Sequence, residues 1–307
     1  METNNNSLFV KRKRPTDMVL KVLIYFCAIL SISLVIGIVG YVFVRGIKAI
    51  NWQFLTTVPS SRKGTFGIAG NLVNTLYIIV ITLLIATPLG IGAAIYLNEY
   101  AKPGKLVRAI EFTTETLSGI PSIIFGLFGM EFFGTTLGLS YSILTGALTL
   151  TLLILPLITR NTQEALRTVP DSYRSGALGI GATKWYMIRT ILLPSAMPGI
   201  LTGVILAIGR IVGESAALIF TAGSGYLLPK TVGGAFHKVL DSGGTLTIEM
   251  YLRMSNAEYD YAFGIALVLL VIVLGINALT KVLTKRFDVT RMDERKKKKT
   301  GGNYAGK

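Results

Sequence analysis

Arg210 and Glu214 are the two ionisable residues in an otherwise apolar run, and they lie four apart. On a helix that spacing puts both side chains on one face. A charge within a membrane-length helix costs about 2.5–3.5 kcal/mol on insertion scales, so it normally faces protein or a wet path. The planar fork of arginine can hold two oxygens of a phosphate-like anion and stays charged at any physiological pH. Glu214 could keep such a site near neutral and release Arg210 when the anion arrives. The competing reading is a structural ion pair that locks this helix to a neighbour.

Other chemistry is sparse. Cys27 is the only cysteine and His237 the only histidine, so neither a disulfide framework nor a zinc cluster can be assembled. The chain has no H-E-x-x-H, no Walker A loop and no G-x-S-x-G elbow. The expectation is a protein with no catalytic residues, no cofactor and no metal.

The elements that must position Arg210 and Glu214 follow from composition. Of 307 residues, 51% are hydrophobic and 15% charged, with a mean hydropathy of +0.58, too apolar for an ordinary soluble domain. A net charge of +15 could serve nucleic-acid binding, but the basic residues flank long apolar runs instead of forming a face. Membrane orientation explains them, and no nucleic-acid partner is expected. Six segments are long and apolar enough to cross a bilayer: Val22–Val44, Leu72–Leu97, Ile120–Phe133, Ser142–Ile158, Gly199–Ala222 and Tyr261–Leu283. The short third one extends backward through Leu106–Leu117, placing Glu111 and Glu115 at a polar boundary or a subunit contact.

The fold class is therefore all-α, a polytopic membrane protein with six transmembrane helices. Basic residues on the side holding both termini outnumber those opposite by about three to one, which predicts cytoplasmic termini. Residues 1–20 read as a basic cytoplasmic arm with no cleavable signal. Residues 21–285 form the membrane domain, and 286–307 a disordered basic tail able to attract anionic membrane lipid. Trp52, Tyr226, Tyr251 and Tyr259 read as interfacial anchors on the external side.

The cytoplasmic loop 159–198 is long enough to have a task. Pro170, Asp171 and Ser172 can open a helix, and Gly179 or Gly181 can close it. A second helical stretch, Ala182–Leu193, puts Trp185, Ile188, Ile191 and Leu192 on one face before Pro194 stops it.

Ser175-Gly176-Ala177, then Gly181 after three residues, then Ile191-Leu192-Leu193-Pro194 after nine, resembles the E-A-A-x3-G-x9-I-x-L-P loop of ABC importer permeases. The resemblance implies a type I importer fold and a short coupling helix that docks on a cytoplasmic ATPase. It assigns Ser175, Gly176, Ala177, Gly181, Ile191, Leu193 and Pro194 to that coupling. Ser175 departs from the pattern, which has glutamate there, so any salt bridge made by that glutamate is missing or replaced.

Two further strings, Ser118-Gly119-Ile120-Pro121-Ser122-Ile123-Ile124-Phe125-Gly126-Leu127-Phe128-Gly129 and Gly209-Arg210-Ile211-Val212-Gly213-Glu214-Ser215-Ala216-Ala217-Leu218, resemble signature segments of phosphate-specific (Pst) permeases. With Thr221-Ala222-Gly223 following, the second is more similar to PstA-type than to PstC-type subunits. The resemblance runs from about Gly67 to Phe287. It implies a bacterial or archaeal cytoplasmic-membrane subunit that passes inorganic phosphate, pairs with a PstC-type permease, and works with a PstB-type ATPase dimer and a PstS-type phosphate-binding protein. It also makes Arg160 a second pathway residue, although positive-inside anchoring explains Arg160 almost as well. Pro121-Ser122 can start a helix whose amides attract anions, while close packing is the preferred role for Gly126 and Gly129. The alternatives are a permease for another oxyanion, such as molybdate, tungstate or sulfate, and, from a different class, an intramembrane enzyme acting on phospholipid head groups.

Overall fold

The computed structural model describes residues 15–60, 65–229 and 232–287. Residues 1–14 of the predicted arm and 288–307 of the predicted tail lie outside them. The described chain is helical apart from one antiparallel bridge between Ser60 and Thr65.

The first helix, α1, runs Pro15–Gly46 and takes in the last residues of the predicted arm, with proline at a helix start where its missing N–H is harmless. Its apolar side chains are nearly all exposed, as befits a helix facing lipid. A short α2, Trp52–Thr56, is capped by Asn51, whose Oδ1 accepts from the Phe54 N–H at 2.7 Å. The next span is α3, Ala69–Ile95, prolonged by a π turn at Tyr96–Tyr100.

The third predicted segment is bent. The helices α4, Lys105–Gly119, and α5, Ser122–Gly129, meet at 100°, because Pro121 withholds an N–H and disfavours helical backbone in the residue before it. A π turn at Met130–Thr136 carries α5 onward. Then comes α6, Ile143–Arg167, which runs nine residues past the predicted end at Ile158. Its start is capped by Ser142, whose Oγ accepts from the Thr145 N–H at 3.1 Å.

The loop after α6 holds α7, Asp171–Gly179, and α8, Lys184–Met187. Pro194 does not stop the second stretch, contrary to expectation. A π turn at Ile188–Leu192 leads into α9, Leu193–Val212, so Pro194 falls in a first turn, where no donor is needed. The fifth span thus begins at Lys184 and ends at Val212, ten residues before the predicted Ala222. Short α10, Ala216–Ile219, and α11, Val232–His237, follow. Last come α12, Leu246–Ser255, and α13, Tyr259–Phe287. Among the described residues five helices are long and apolar enough to cross a membrane, and the bent α4–α5 pair makes a sixth crossing if taken as one span.

The core is built by α3 and α6, which run parallel, and α9, which runs antiparallel to α6, packed around Ile78, Leu150, Ile154, Ile158, Ala207 and Ile211. Lipid tails are as apolar as these side chains, so close approach supplies much of the attraction between helices. Gly203 supplies such an approach, since a Cβ there would come within 2.6 Å of the Asn161 Cβ. At the end of the bundle opposite α7, Asn74 Nδ2 donates to the carbonyls of Gly225 at 2.8 Å and Gly244 at 3.2 Å. That fastens the segment after α10 to the start of α3.

Candidate functional site

The site around Arg210 is built by the end of a helix, not by its middle. Gly213 closes α9, its N–H bonding back to Gly209, so Arg210 lies in the last turn and Glu214 just beyond it. The two still face each other, with Arg210 Nη2 at 3.9 Å from Glu214 Oε2. Their environments differ sharply. The Arg210 side chain is 55% exposed and that of Glu214 only 6%.

Glu214 is fixed twice. Its Oε1 accepts from the Ala217 N–H at 3.2 Å, and its backbone carbonyl accepts from Thr247 Oγ1 at 2.8 Å. Thr247 Oγ1 also lies 2.9 Å from Thr245 Oγ1. Ala217 packs in turn on Gly126 of α5, where an added Cβ would stand 2.8 Å from the Ala217 Cα. The expected packing role of Gly126 is thereby seen: α9 and α10 meet the Glu214 carboxylate, α12 holds its backbone carbonyl, and α5 packs behind Ala217. Beside them lies a cleft of about 250 Å³ lined by Ile123, Ser215, Ala216, Ile219, Phe220, Ile248 and Tyr251. Chemically this is a half-exposed guanidinium, held by one long ion pair, with its fork free to bind two oxygens of an anion.

Arg160 is not part of this corner. It sits on the C-terminal half of α6 between Glu115 at 3.8 Å and Glu164 at 3.7 Å, with the Arg167–Glu111 pair at 3.5 Å beyond them. Since Asn161 meets Gly203, the helical rise puts Arg210 about 10 Å further along α9. Arg160 lines a separate polar cleft of about 250 Å³ with Glu111, Thr114, Glu115, Gln163, Glu164 and Arg167.

In the loop between α6 and α9, Gly181 has φ of +83° and its N–H bonds to the Leu178 carbonyl at 3.0 Å, ending α7 with left-handed backbone that glycine adopts without strain. Ser175 Oγ donates to the Asp171 carbonyl at 3.1 Å, so in place of a glutamate salt bridge it bonds its own helix. Ala177 is buried and Ser175 and Gly176 are exposed; Ile191 and Leu193 are half-buried and Pro194 is exposed. Trp185 does not share the buried face of Ile188 and Leu192. It is exposed, as are Leu178 and, at 87%, Ile180.

Arg174 was not foreseen. Its guanidinium donates to Glu99 Oε1 at 2.9 Å, to Asp171 Oδ1 and to the carbonyls of Leu166 and Val169, riveting α7 to the end of α3. Burial works against its charge, but the bond and charge of Glu99, joined by Asp171, raise its pKa above the ordinary arginine value. Thr247 was missed as well, lying 33 residues from the carbonyl it binds, a separation that no local pattern spans.

Residues 86–289 match the family described as binding-protein-dependent transport system inner membrane component. A probable ABC transporter permease protein, YqgI of Bacillus subtilis (strain 168), is 39% identical over 211 residues, covering 69% of this chain and 72% of that one. The phosphate transport system permease protein PstA 1 of Mycobacterium tuberculosis (strain ATCC 25618 / H37Rv) is 36% identical over 228 residues, covering 73% of this chain and 71% of that one. Among solved structures, a bacterial ABC transporter involved in the import of the acidic polysaccharide alginate aligns with a TM-score of 0.62 over 89% of this chain and 98% of the other. At 18% identity that likeness concerns the fold alone.

Proposed function

The chain belongs to the binding-protein-dependent transport system inner membrane components, and on that premise we propose that its cargo is inorganic phosphate and its type PstA. The family membership makes it a multi-pass permease subunit of a bacterial ABC importer. Such a subunit works with an ATPase and a binding protein and has no catalysis of its own. The finer reading is supported by the similarity to PstA 1 and by the two signature strings.

One observation carries the proposal: the half-exposed Arg210 guanidinium beside the buried, doubly anchored Glu214. In the resting pair the charges offset each other. Phosphate arriving at the guanidinium gains a bidentate contact while leaving the carboxylate in place. The partners in this reading are a PstC-type permease completing the pathway, a PstB-type ATPase dimer and a PstS-type phosphate-binding protein.

ATP-driven movement would enter through α7 and α8, whose exposed Ile180, Leu178 and Trp185 form the surface for the ATPase. The Arg174–Glu99 contact passes that movement to α3, which packs on α6 and α9, and so to Arg210. Both termini are cytoplasmic in this account, by the basic bias of the loops.

Uptake of radiolabelled phosphate by vesicles holding the complete complex tests the proposal. Unlabelled phosphate is expected to abolish the signal, with sulfate and molybdate leaving it intact. Equal competition by molybdate would replace phosphate with another oxyanion.

A further inference from the structure

We propose that Glu214 makes the Arg210 site select a tetrahedral oxyanion that still carries a proton, and so phosphate or arsenate over sulfate, molybdate or tungstate. The inference rests on Arg210 being an anion contact and goes on to the residue that would set specificity.

The geometry supplies a donor and an acceptor that cannot exchange places. Glu214 Oε1 is taken by the Ala217 N–H at 3.2 Å, and Thr247 Oγ1 holds the backbone of the same residue at 2.8 Å. With its side chain 6% exposed, the carboxylate has little freedom to swing away. Its other oxygen, Oε2, is turned toward Arg210 at 3.9 Å, beyond hydrogen-bonding distance. An anion seated on the guanidinium therefore meets a fixed carboxylate oxygen within reach.

What happens next depends on one hydrogen. An O–H on the anion donates to Oε2 and forms a charge-assisted bond. A bare oxygen there meets the like charge of a carboxylate whose side chain is 6% exposed, so water screens the repulsion only weakly. At neutral pH phosphate and arsenate carry at least one proton, whereas sulfate, molybdate and tungstate carry none. A hydrogen bond to a charged group, gained or replaced by repulsion, is enough for discrimination on the order of tenfold or more.

The test uses the assembled permease and ATPase complex without its binding protein, so that the partner's own selectivity does not enter. A non-hydrolysable ATP analogue occupies the ATPase anion sites. The reading is the rise in melting temperature with anion concentration. Half-maximal stabilisation of the wild type is expected at similar concentrations of phosphate and arsenate, and at concentrations at least about tenfold higher for sulfate and molybdate. Glu214→Gln keeps a carbonyl for Ala217 and turns a donor toward the anion, so it should level that order or invert it.

Arsenate grouping with sulfate in the wild type would overturn the inference without need of a variant. So would an unchanged preference for phosphate in Glu214→Gln while Arg210→Gln has lost the response. Stabilisation that survives intact in Arg210→Gln, or is absent from the wild type, would overturn the Arg210 site itself and this inference with it.

Discussion

Arg174 of α7 and Glu99 at the end of α3 form an ion pair that ties the loop between α6 and α9 to the membrane helices. Their Nη2–Oε1 distance is 2.9 Å, and the carboxylate side chain is only 5% exposed. The chain from Ala101 to Val169 separates their elements, so this contact is a tertiary rivet and not a local bridge. Arg174→Met leaves the buried Glu99 charge with only the Asn98 amide as donor, at a cost of about 3 kcal/mol, and Arg174→Met with Glu99→Met restores neutrality. Thermal unfolding of the purified complex should show a lowered midpoint for the single variant and recovery in the double. In both, the ATP hydrolysed per phosphate imported should rise, because α7 has lost its grip on α3.

Gly181 offers a separable test of the same path. No atom lies within 4 Å of a Cβ built there, yet its φ is +83°, so any loss on substitution is backbone strain alone. A β-branched residue is a genuine outlier in that region, costing about 1–3 kcal/mol. Gly181→Val is expected to uncouple ATP use from uptake while the protein stays in the membrane, and Gly181→Asn, which tolerates left-handed backbone, to be milder. Crosslinking should capture the ATPase from cysteines at Ile180 or Leu178, which are exposed, and not from buried Ala177. Reaction of the Ile180 cysteine with a reagent confined to the external face would refute both docking and topology.

Lys238 gives a pH signature to the segment between α11 and α12. It is 4% exposed and its Nζ donates to the Ser242 carbonyl at 3.0 Å. Burial lowers its pKa below the usual 10.5, with the charge of Asp241 pulling it back only in part. Between the lowered value and 10.5 the unfolded chain binds more protons than the folded one, so stability rises with pH in that window and levels off above it. Lys238→Met should remove that alkaline rise, as followed by the melting temperature of the complex between neutral pH and about pH 10.

Much of this architecture was legible because a bilayer imposes long apolar runs, and the αL turn at Gly181 because glycine at a fixed offset announces it. The end of α9 was not legible. Ala216–Ala222 is as apolar as a span, and the helix stops only because Gly213 closes it and the Glu214 carboxylate takes the Ala217 N–H. For the same reason Arg210 was placed at mid-helix and lies in a last turn. Pro194 was taken for a stop because the π turn that admits it has no sequence signature. Arg160 was paired with Arg210 through the family resemblance, and no sequence pattern could show that its neighbours are Glu115 and Glu164, in a cleft apart from Arg210.

Arg210 is the residue on which the account depends, and complex yield measured beside phosphate uptake tests it most directly. Removing one partner of the pair exposes the other to an uncompensated charge, whereas Arg210→Leu with Glu214→Leu restores neutrality and should regain assembly. Arg210→Lys keeps the charge and loses the fork. The account predicts near-normal yield and no phosphate uptake for the double Leu variant, with reduced uptake for Arg210→Lys. Near-normal uptake in the double Leu variant would contradict it and reduce Arg210 and Glu214 to a structural ion pair.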